Sequence, residues 1–100
     1  MPTESYDDIL TEELRDVEVA AEYLSAAIEG GNVTEFLMAL RYVTDAHGGV
    51  GILAEITDLN RQSLYKMLSE QGNPTLINLI AVLKSVGLTL SVRPIESDAA

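Results

Sequence analysis

Three polar side chains capable of hydrogen bonding lie close together in the middle of the chain: Arg61, Gln62 and, about one helical turn later, Lys66. Arginine can form two hydrogen bonds with guanine, glutamine can do the same with adenine, and lysine can reach a base or a phosphate. Asn60 precedes them and can accept a hydrogen bond from a backbone amide two or three residues later, which begins a helix. The pattern predicts a helix over residues 61–69 whose outer face can read DNA.

A second short helix is predicted just before this one, over residues 50–57, because Ile52, Leu53 and Ile56 recur at helical intervals. Asp58 lies where the chain must reverse, and aspartate tolerates a left-handed backbone better than most residues. Two short helices joined by a tight turn are typical of the helix-turn-helix, whose second helix enters the major groove. A plain helical hairpin explains the apolar positions equally well, but not the basic outer face in a chain with only six Lys and Arg residues.

Further candidates for contacts with DNA flank these two helices. Gly49 and Gly51 leave backbone amides bare at a helix start, where a phosphate can approach, although a flexible connection is an equal alternative. The polar loop after the second helix can bond phosphates, and its Thr75 can also cap the next helix. The predicted DNA-binding residues are Gly49, Gly51, Asn60, Arg61, Gln62, Ser63, Tyr65, Lys66, Asn73 and Thr75.

The composition argues against an enzyme. The chain contains no cysteine and a single histidine, His47, so disulfides, thiolate metal sites and histidine clusters are excluded. Its acidic pairs are adjacent residues, whereas general acid–base catalysis needs carboxylates in different environments. We therefore expect no catalysis, no cofactor and no metal. The N-terminus lacks a signal-peptide core and no apolar run reaches the length of a membrane span, so we expect a cytoplasmic protein.

Charge is divided unevenly along the chain, whose net charge is −10. Residues 1–35 hold ten acidic residues and one basic residue, whereas residues 59–93 hold four basic residues and one acidic residue. Such a protein should bind DNA weakly away from a specific site, because phosphate neutralisation supplies most nonspecific affinity. The acidic part is either a solvated surface or a binding surface for a basic protein. The candidate residues for the second role are Asp7, Asp8, Glu12 and Glu13.

The remaining patterns divide the chain into an acidic helical extension over residues 1–33, a DNA-binding domain over residues 34–94 and a disordered tail over residues 95–100. Four more helices are predicted, at residues 5–15, 17–29, 35–46 and 76–86, and the last three have Asp16, Thr34 and Thr75 as N-caps. The helix at 76–86 is apolar on most sides, which predicts that it is the central core helix.

The first helix is expected to contribute little to folding. Residues 1–15 offer only Ile9, Leu10 and Leu14 to packing. We therefore expect the core to survive their removal.

Residues 88–93 alternate apolar and polar side chains, which is the periodicity of a strand, and Pro94 ends it. A lone strand leaves its backbone groups unpaired. Pairing with the same strand of a second copy would satisfy these backbone groups, and it would place Leu88, Leu90 and Val92 at the dimer interface. The alternative is an extended tail packed on the domain. The predicted fold is therefore all-α, with one C-terminal strand that pairs across a homodimer.

Several stretches match a known family: Glu35-Phe-Leu-Met-Ala-Leu-Arg41, Leu64-Tyr-Lys-Met-Leu-Ser-Glu70, Gly72-Asn-Pro-Thr-Leu76 and Val86-Gly-Leu-Thr-Leu-Ser-Val92. Over about residues 16–93 the chain resembles the antidote (HigA-like) subgroup of bacterial toxin–antitoxin modules, within the lambda-repressor/Cro-like superfamily. Two positions depart from the pattern. Asp58 stands where Gly is usual, and Val17 stands where Pro commonly opens the helix.

The resemblance implies a lambda-repressor-like bundle of about five helices with an N-terminal extension. It implies a repressor that binds its own inverted-repeat operator in double-stranded DNA and, for many members, neutralises a neighbouring toxin. A ribonuclease toxin is usually basic, so the acidic residues near the N-terminus become the candidate toxin-binding site. A stand-alone regulator derived from a phage or transposon, with no toxin partner, fits the sequence as well.

Overall fold

The computed structural model describes residues 6–96, and these form helices without any strand. The predictions for residues 1–5 and 97–100, at the two ends of the chain, lie outside the described residues. The expectation of an all-α fold is confirmed. The helices are α1 (Tyr6–Glu13), α2 (Val17–Glu29), α3 (Val33–Ala46), α4 (Val50–Thr57), α5 (Arg61–Met67) and α6 (Leu76–Ser85).

The central helix is α3, which packs against α1, α2 and α4. Phe36, Leu37, Leu40 and Val43 are buried at helical spacing and point into the core. Thr44 is buried beside them, and its hydroxyl donates a hydrogen bond to the Leu40 carbonyl oxygen at 2.9 Å. A buried polar group is tolerated when it is bonded in this way. The helix therefore carries most of the contacts that hold the others in place.

The prediction that α6 is the central helix is wrong. Val82 and Leu83 are buried on one of its faces, and α6 packs against α4. Leu76 and Ile77, at its start, are 63% and 79% exposed. An all-round apolar helix is expected to be buried on all sides, but its composition does not say by which elements. Within this chain α6 therefore buries one face and leaves the side chains at its start exposed.

The helix ends follow capping rules. Asp16 caps α2 by accepting a hydrogen bond from the Glu18 amide at 2.9 Å, as predicted. The predicted cap of α3, Thr34, is wrong: Asn32 caps it by accepting from the Glu35 amide at 3.1 Å. Asparagine is the better cap of the two, so the helix begins two residues earlier than expected.

The first helix belongs to the core. It packs against α3 and buries Leu10, and Leu14 just beyond it is also buried. The Leu14 carbonyl oxygen lies 2.9 Å from Nε2 of His47, at the end of α3. Since a carbonyl only accepts, Nε2 is the donor. The expectation that residues 1–15 contribute little to packing is therefore wrong.

Residues after α6 run along α2 in no regular structure. Gly87 ends the helix with a left-handed backbone (φ 85°), which glycine adopts without steric cost. Leu88 packs partly against the core, whereas Leu90 is exposed and Val92 is 97% exposed. The Arg93 guanidinium lies 3.2 Å from a Glu29 carboxylate oxygen at the end of α2. The predicted strand therefore has no partner within the described part of this chain.

None of the helices in residues 6–96 has the length and apolarity needed to cross a bilayer.

Candidate nucleic-acid interface

The α5 helix presents a polar face to solvent. Asn60 caps it as predicted, because its side-chain oxygen accepts hydrogen bonds from the Gln62 and Ser63 amides at 2.7 and 3.2 Å. Leu64 and Met67 are buried and attach the helix to the core. The opposite face consequently carries exposed side chains, which are Arg61, Gln62, Tyr65 and Lys66.

The turn between α4 and α5 is held by local hydrogen bonds. Asp58 adopts a left-handed backbone (φ 62°), as predicted from its residue type. The Thr57 hydroxyl donates to the Leu53 carbonyl oxygen at 2.6 Å and accepts from the Leu59 amide at 3.2 Å. These bonds fix the direction in which α5 leaves the turn.

The inward face of α4 differs from the prediction. The predicted apolar set Ile52, Leu53 and Ile56 is only partly buried, because Ile52 and Ile56 are 45% and 61% exposed. Leu53, the third residue of that set, is buried together with Val50. Both pairs fit helical spacing in an eight-residue helix, and Thr57 can lie near the core because its hydroxyl is bonded to the helix itself. Spacing alone could not choose between the two faces.

Arg61 reaches back to the start of α4. Its guanidinium lies so close to Gly51 that a Cβ added there would be 2.7 Å from Nη2 of Arg61. The structure thus brings together two predicted DNA-binding residues from different helices. Gly49, a third, has its amide engaged with the Thr44 carbonyl oxygen at 2.9 Å. Its amide is therefore occupied in the described structure.

Arg41 on α3 adds a cation that the sequence reasoning missed. Its guanidinium carbon lies 5.1 Å from the centre of the Tyr65 ring, which is a cation–π arrangement, and its Nε lies 3.2 Å from an Asp45 carboxylate oxygen. Its position next to α5 depends on how α3 and α5 pack, so no local sequence signal could have found it. Three of the six basic residues, Arg41, Arg61 and Lys66, therefore lie on α5 or against it.

The loop before α6 lies beside the other end of α5. Asn73 and Thr75 line an open cleft of about 380 Å³ together with Ser63 and Lys66. Thr75 also caps α6, since its hydroxyl oxygen accepts from the Asn78 amide at 3.2 Å. The predicted positions after α5 are thus adjacent to it in space, as a contact with one DNA duplex requires.

The acidic candidates lie on a different element. Asp7, Asp8, Glu12 and Glu13 are all on α1 with exposed side chains. Their helix packs against α3 through Leu10. No group of three metal-ligating side chains occurs among residues 6–96.

Comparison with known proteins places the chain in a family. Residues 3–94, nearly the whole chain, match the family model described as "Probable addiction module antidote protein", so the chain belongs to that family. A relative is an uncharacterized protein of Haemophilus influenzae (strain ATCC 51907 / DSM 11121 / KW20 / Rd). The two are 30% identical over 93 residues, which cover 84% of this chain and 95% of the relative. No solved structure matches the chain.

Proposed function

We propose that this protein is a cytoplasmic, non-enzymatic repressor that binds its own operator through α4 and α5 and neutralises a toxin encoded beside it. The observation that carries the DNA-binding half is the concentration of Arg41, Arg61 and Lys66 around the outer face of α5 in a chain of net charge −10. The family name supports the antidote half, because an antidote acts against a toxin.

In this proposal α5 is the recognition helix of a helix-turn-helix. Base contacts concentrate in the first turn of such a helix, where Arg61 and Gln62 lie. Phosphate contacts fix the orientation of the protein on the duplex, and backbone amides at helix starts commonly supply them. We assign that role to Gly51 and to the loop residues Asn73 and Thr75.

A repressor of this kind binds as a twofold dimer, with recognition helices one turn of DNA apart. We propose that residues 88–93 pair with the same residues of a second copy. Leu90 and Val92 are exposed in the single chain, and Arg93 holds the segment against α2 through Glu29. Pairing would satisfy the strand backbone and cover these two side chains.

DNA binding is tested by titrating the DNA upstream of the gene with protein at several salt concentrations. If Arg41, Arg61 and Lys66 of both copies each neutralise one phosphate, the slope of log affinity against log salt is about −5. Shuffled DNA of the same length is the control, and the net charge of −10 should keep its binding weak. Equal affinity for both DNAs, or affinity independent of salt, would contradict the proposal.

The antidote half is tested by removing charge from α1 without removing the helix. Replacing Asp7 and Asp8 by Asn and Glu12 and Glu13 by Gln should slow association with the protein encoded by the adjacent gene about tenfold or more, because complementary charge mainly accelerates encounter. Operator binding should be unchanged. The control neutralises Glu70 and Glu96, which are exposed and lie outside α1.

An undiminished association rate in the α1 variant would show that this acidic surface is not the toxin site. If the wild-type chain binds no protein encoded beside it while still binding its operator, the stand-alone regulator is the better description.

A further inference from the structure

The ring of Tyr65 forms a contact between α3 and the outer face of α5. The guanidinium carbon of Arg41 lies 5.1 Å from the centre of this ring, within the range of a cation–π interaction. Tyr65 itself is 49% exposed, and the buried Leu64 and Met67 already attach α5 to the core. The ring therefore contributes at the surface of the helix rather than to the packing of the core.

The guanidinium of Arg41 is held on one face and at one edge. Its face lies over the Tyr65 ring, and its Nε donates a hydrogen bond to an Asp45 carboxylate oxygen at 3.2 Å. Among residues 6–96 no hydrogen-bond partner meets its Nη1 and Nη2 atoms. A guanidinium presents its N–H donors in a rigid plane, and a phosphate accepts two of them side by side. The free edge of Arg41 can therefore bind one phosphate.

This free edge lies beside the residues proposed to read bases. Tyr65 follows Arg61 by four residues and Gln62 by three, so the three side chains are neighbours on one surface of α5. A recognition helix in the major groove makes its base contacts mainly through its first turn, and a sugar–phosphate backbone lies on either side of it. A cation next to the second turn is therefore placed to meet that backbone.

An aromatic ring suits the task of holding this cation. A mobile arginine side chain loses rotamer freedom when it binds, and this loss opposes binding. A ring that stacks on the guanidinium reduces the loss beforehand, and because the ring is uncharged it leaves the positive charge available to DNA. In a chain with only six Lys and Arg residues, each cation near α5 supplies a large share of the attraction.

We infer that Tyr65 is a positioning residue, which holds Arg41 beside α5 so that Arg41, and not Tyr65, contacts DNA at a phosphate. The inference rests on the proposed operator binding. It assigns one phosphate contact to α3, outside the two helices of the proposed helix-turn-helix. The sequence predicts instead that Tyr65 contacts DNA itself, and the two roles give different results when both residues are changed.

The test is a double-mutant cycle, with binding measured on the DNA upstream of the gene. Arg41→Ala should weaken binding about tenfold or more and make the slope of log affinity against log salt shallower by about 2, since each copy of a dimer loses one phosphate contact. Tyr65→Leu should weaken binding about three- to tenfold in the wild-type background but less than about twofold in the Arg41→Ala background. Tyr65→Phe keeps the ring and should bind like the wild-type protein.

Tyr42→Leu is the matched control. Tyr42 is a tyrosine on α3 that is 37% exposed, and its side chain projects about 100° away from that of Arg41 around the helix. This variant should change neither the affinity nor the salt slope. Thermal unfolding checks that every variant keeps the fold. A substitution of Asp45 would be less informative, because removing a carboxylate also removes a charge that repels DNA.

The cycle separates the positioning role from the alternatives. If Tyr65→Leu weakens binding equally in both backgrounds, or if Tyr65→Phe binds as poorly as Tyr65→Leu, then Tyr65 contacts DNA itself or only stabilises α5, and the inference is overturned. An unchanged affinity and salt slope in Arg41→Ala also overturns it. If the wild-type protein does not prefer its operator to shuffled DNA, the proposed repressor is wrong, whereas additive effects beside intact operator binding refute only the positioning role.

Discussion

Truncating Leu14 to alanine should lower the free energy of unfolding by about 2–5 kcal/mol, the range for large-to-small changes in a packed core. Leu14 has no exposed surface, its amide donates to the Leu10 carbonyl oxygen at 2.9 Å, and its own carbonyl is bonded to the His47 ring. The cavity left by the side chain would lie in the core of the small bundle. Urea unfolding followed by circular dichroism measures the change.

Ile9→Ala is the control for this result. Ile9 lies on α1 and is 45% exposed, so the same kind of truncation should cost about 1 kcal/mol or less. If Leu14→Ala lowers the free energy of unfolding no more than Ile9→Ala does, then α1 does not pack as the structure shows.

The packing of α1 also affects how partner binding can be tested. Deleting residues 1–15 would remove core side chains together with the acidic ones, so charge neutralisation is the cleaner test of the acidic surface.

Features set by short-range chemistry could be predicted from the sequence. Asp16, Asn60 and Thr75 were identified as helix caps because a side-chain oxygen at the first non-helical position bonds amides only two or three residues away. The left-handed backbone of Asp58 followed from its residue type at a reversal of the chain. These local features fixed the starts of α2, α5 and α6 and the end of α4 to the residue.

Features that depend on distant neighbours could not be predicted in the same way. The α6 sequence is apolar on most sides, yet the helix buries only one face. In α4 the apolar residues are spaced so that either of two faces could be the buried one. The contribution of Leu14 to the core was underestimated, because its burial depends on how α1 packs against α3. In each case periodicity identified the helix but not the partner that covers it.

In the candidate site, too, residues on one helix could be predicted, whereas contacts between helices could not. Arg61, Gln62, Tyr65 and Lys66 could be named from the sequence because one helix carries them all. The location of Arg41 over the Tyr65 ring joins positions 24 residues apart in sequence through the packing of two helices. The family of the chain follows from the match over residues 3–94 as a whole, and no single residue indicates it.

Replacing Gln62 by alanine should relax the preference for one base pair in each half of the operator, at a cost of about 1–3 kcal/mol. Arg61→Ala should do the same at a neighbouring base pair, since an arginine bonded to guanine is a common specific contact. Both side chains are exposed and neither contributes to the core, so the fold should persist. Competition with operators altered at single positions measures the preference, and thermal unfolding monitors the fold.

Lys84→Ala and Ser25→Ala are matched controls, because they remove a positive charge and a hydrogen-bonding side chain from exposed positions outside α5 and its adjoining cleft. Lys84→Ala loses a positive charge, so it reveals any general electrostatic effect on binding. If Arg61→Ala and Gln62→Ala both bind the wild-type operator as tightly as these controls do, α5 is not the recognition helix.

Gly51→Ala tests the base contact assigned to Arg61 without changing the sequence of α5. An alanine Cβ at this position would lie 2.7 Å from Nη2 of Arg61, so the flexible guanidinium must move. Alanine favours a helix over glycine, and the stability of the fold should rise slightly or stay constant. We therefore expect the variant to lose the base preference assigned to Arg61 while it keeps the preference assigned to Gln62. Loss of both preferences would indicate that the whole helix has shifted, whereas an unchanged Arg61 preference would show that its observed position against Gly51 does not matter for base contact.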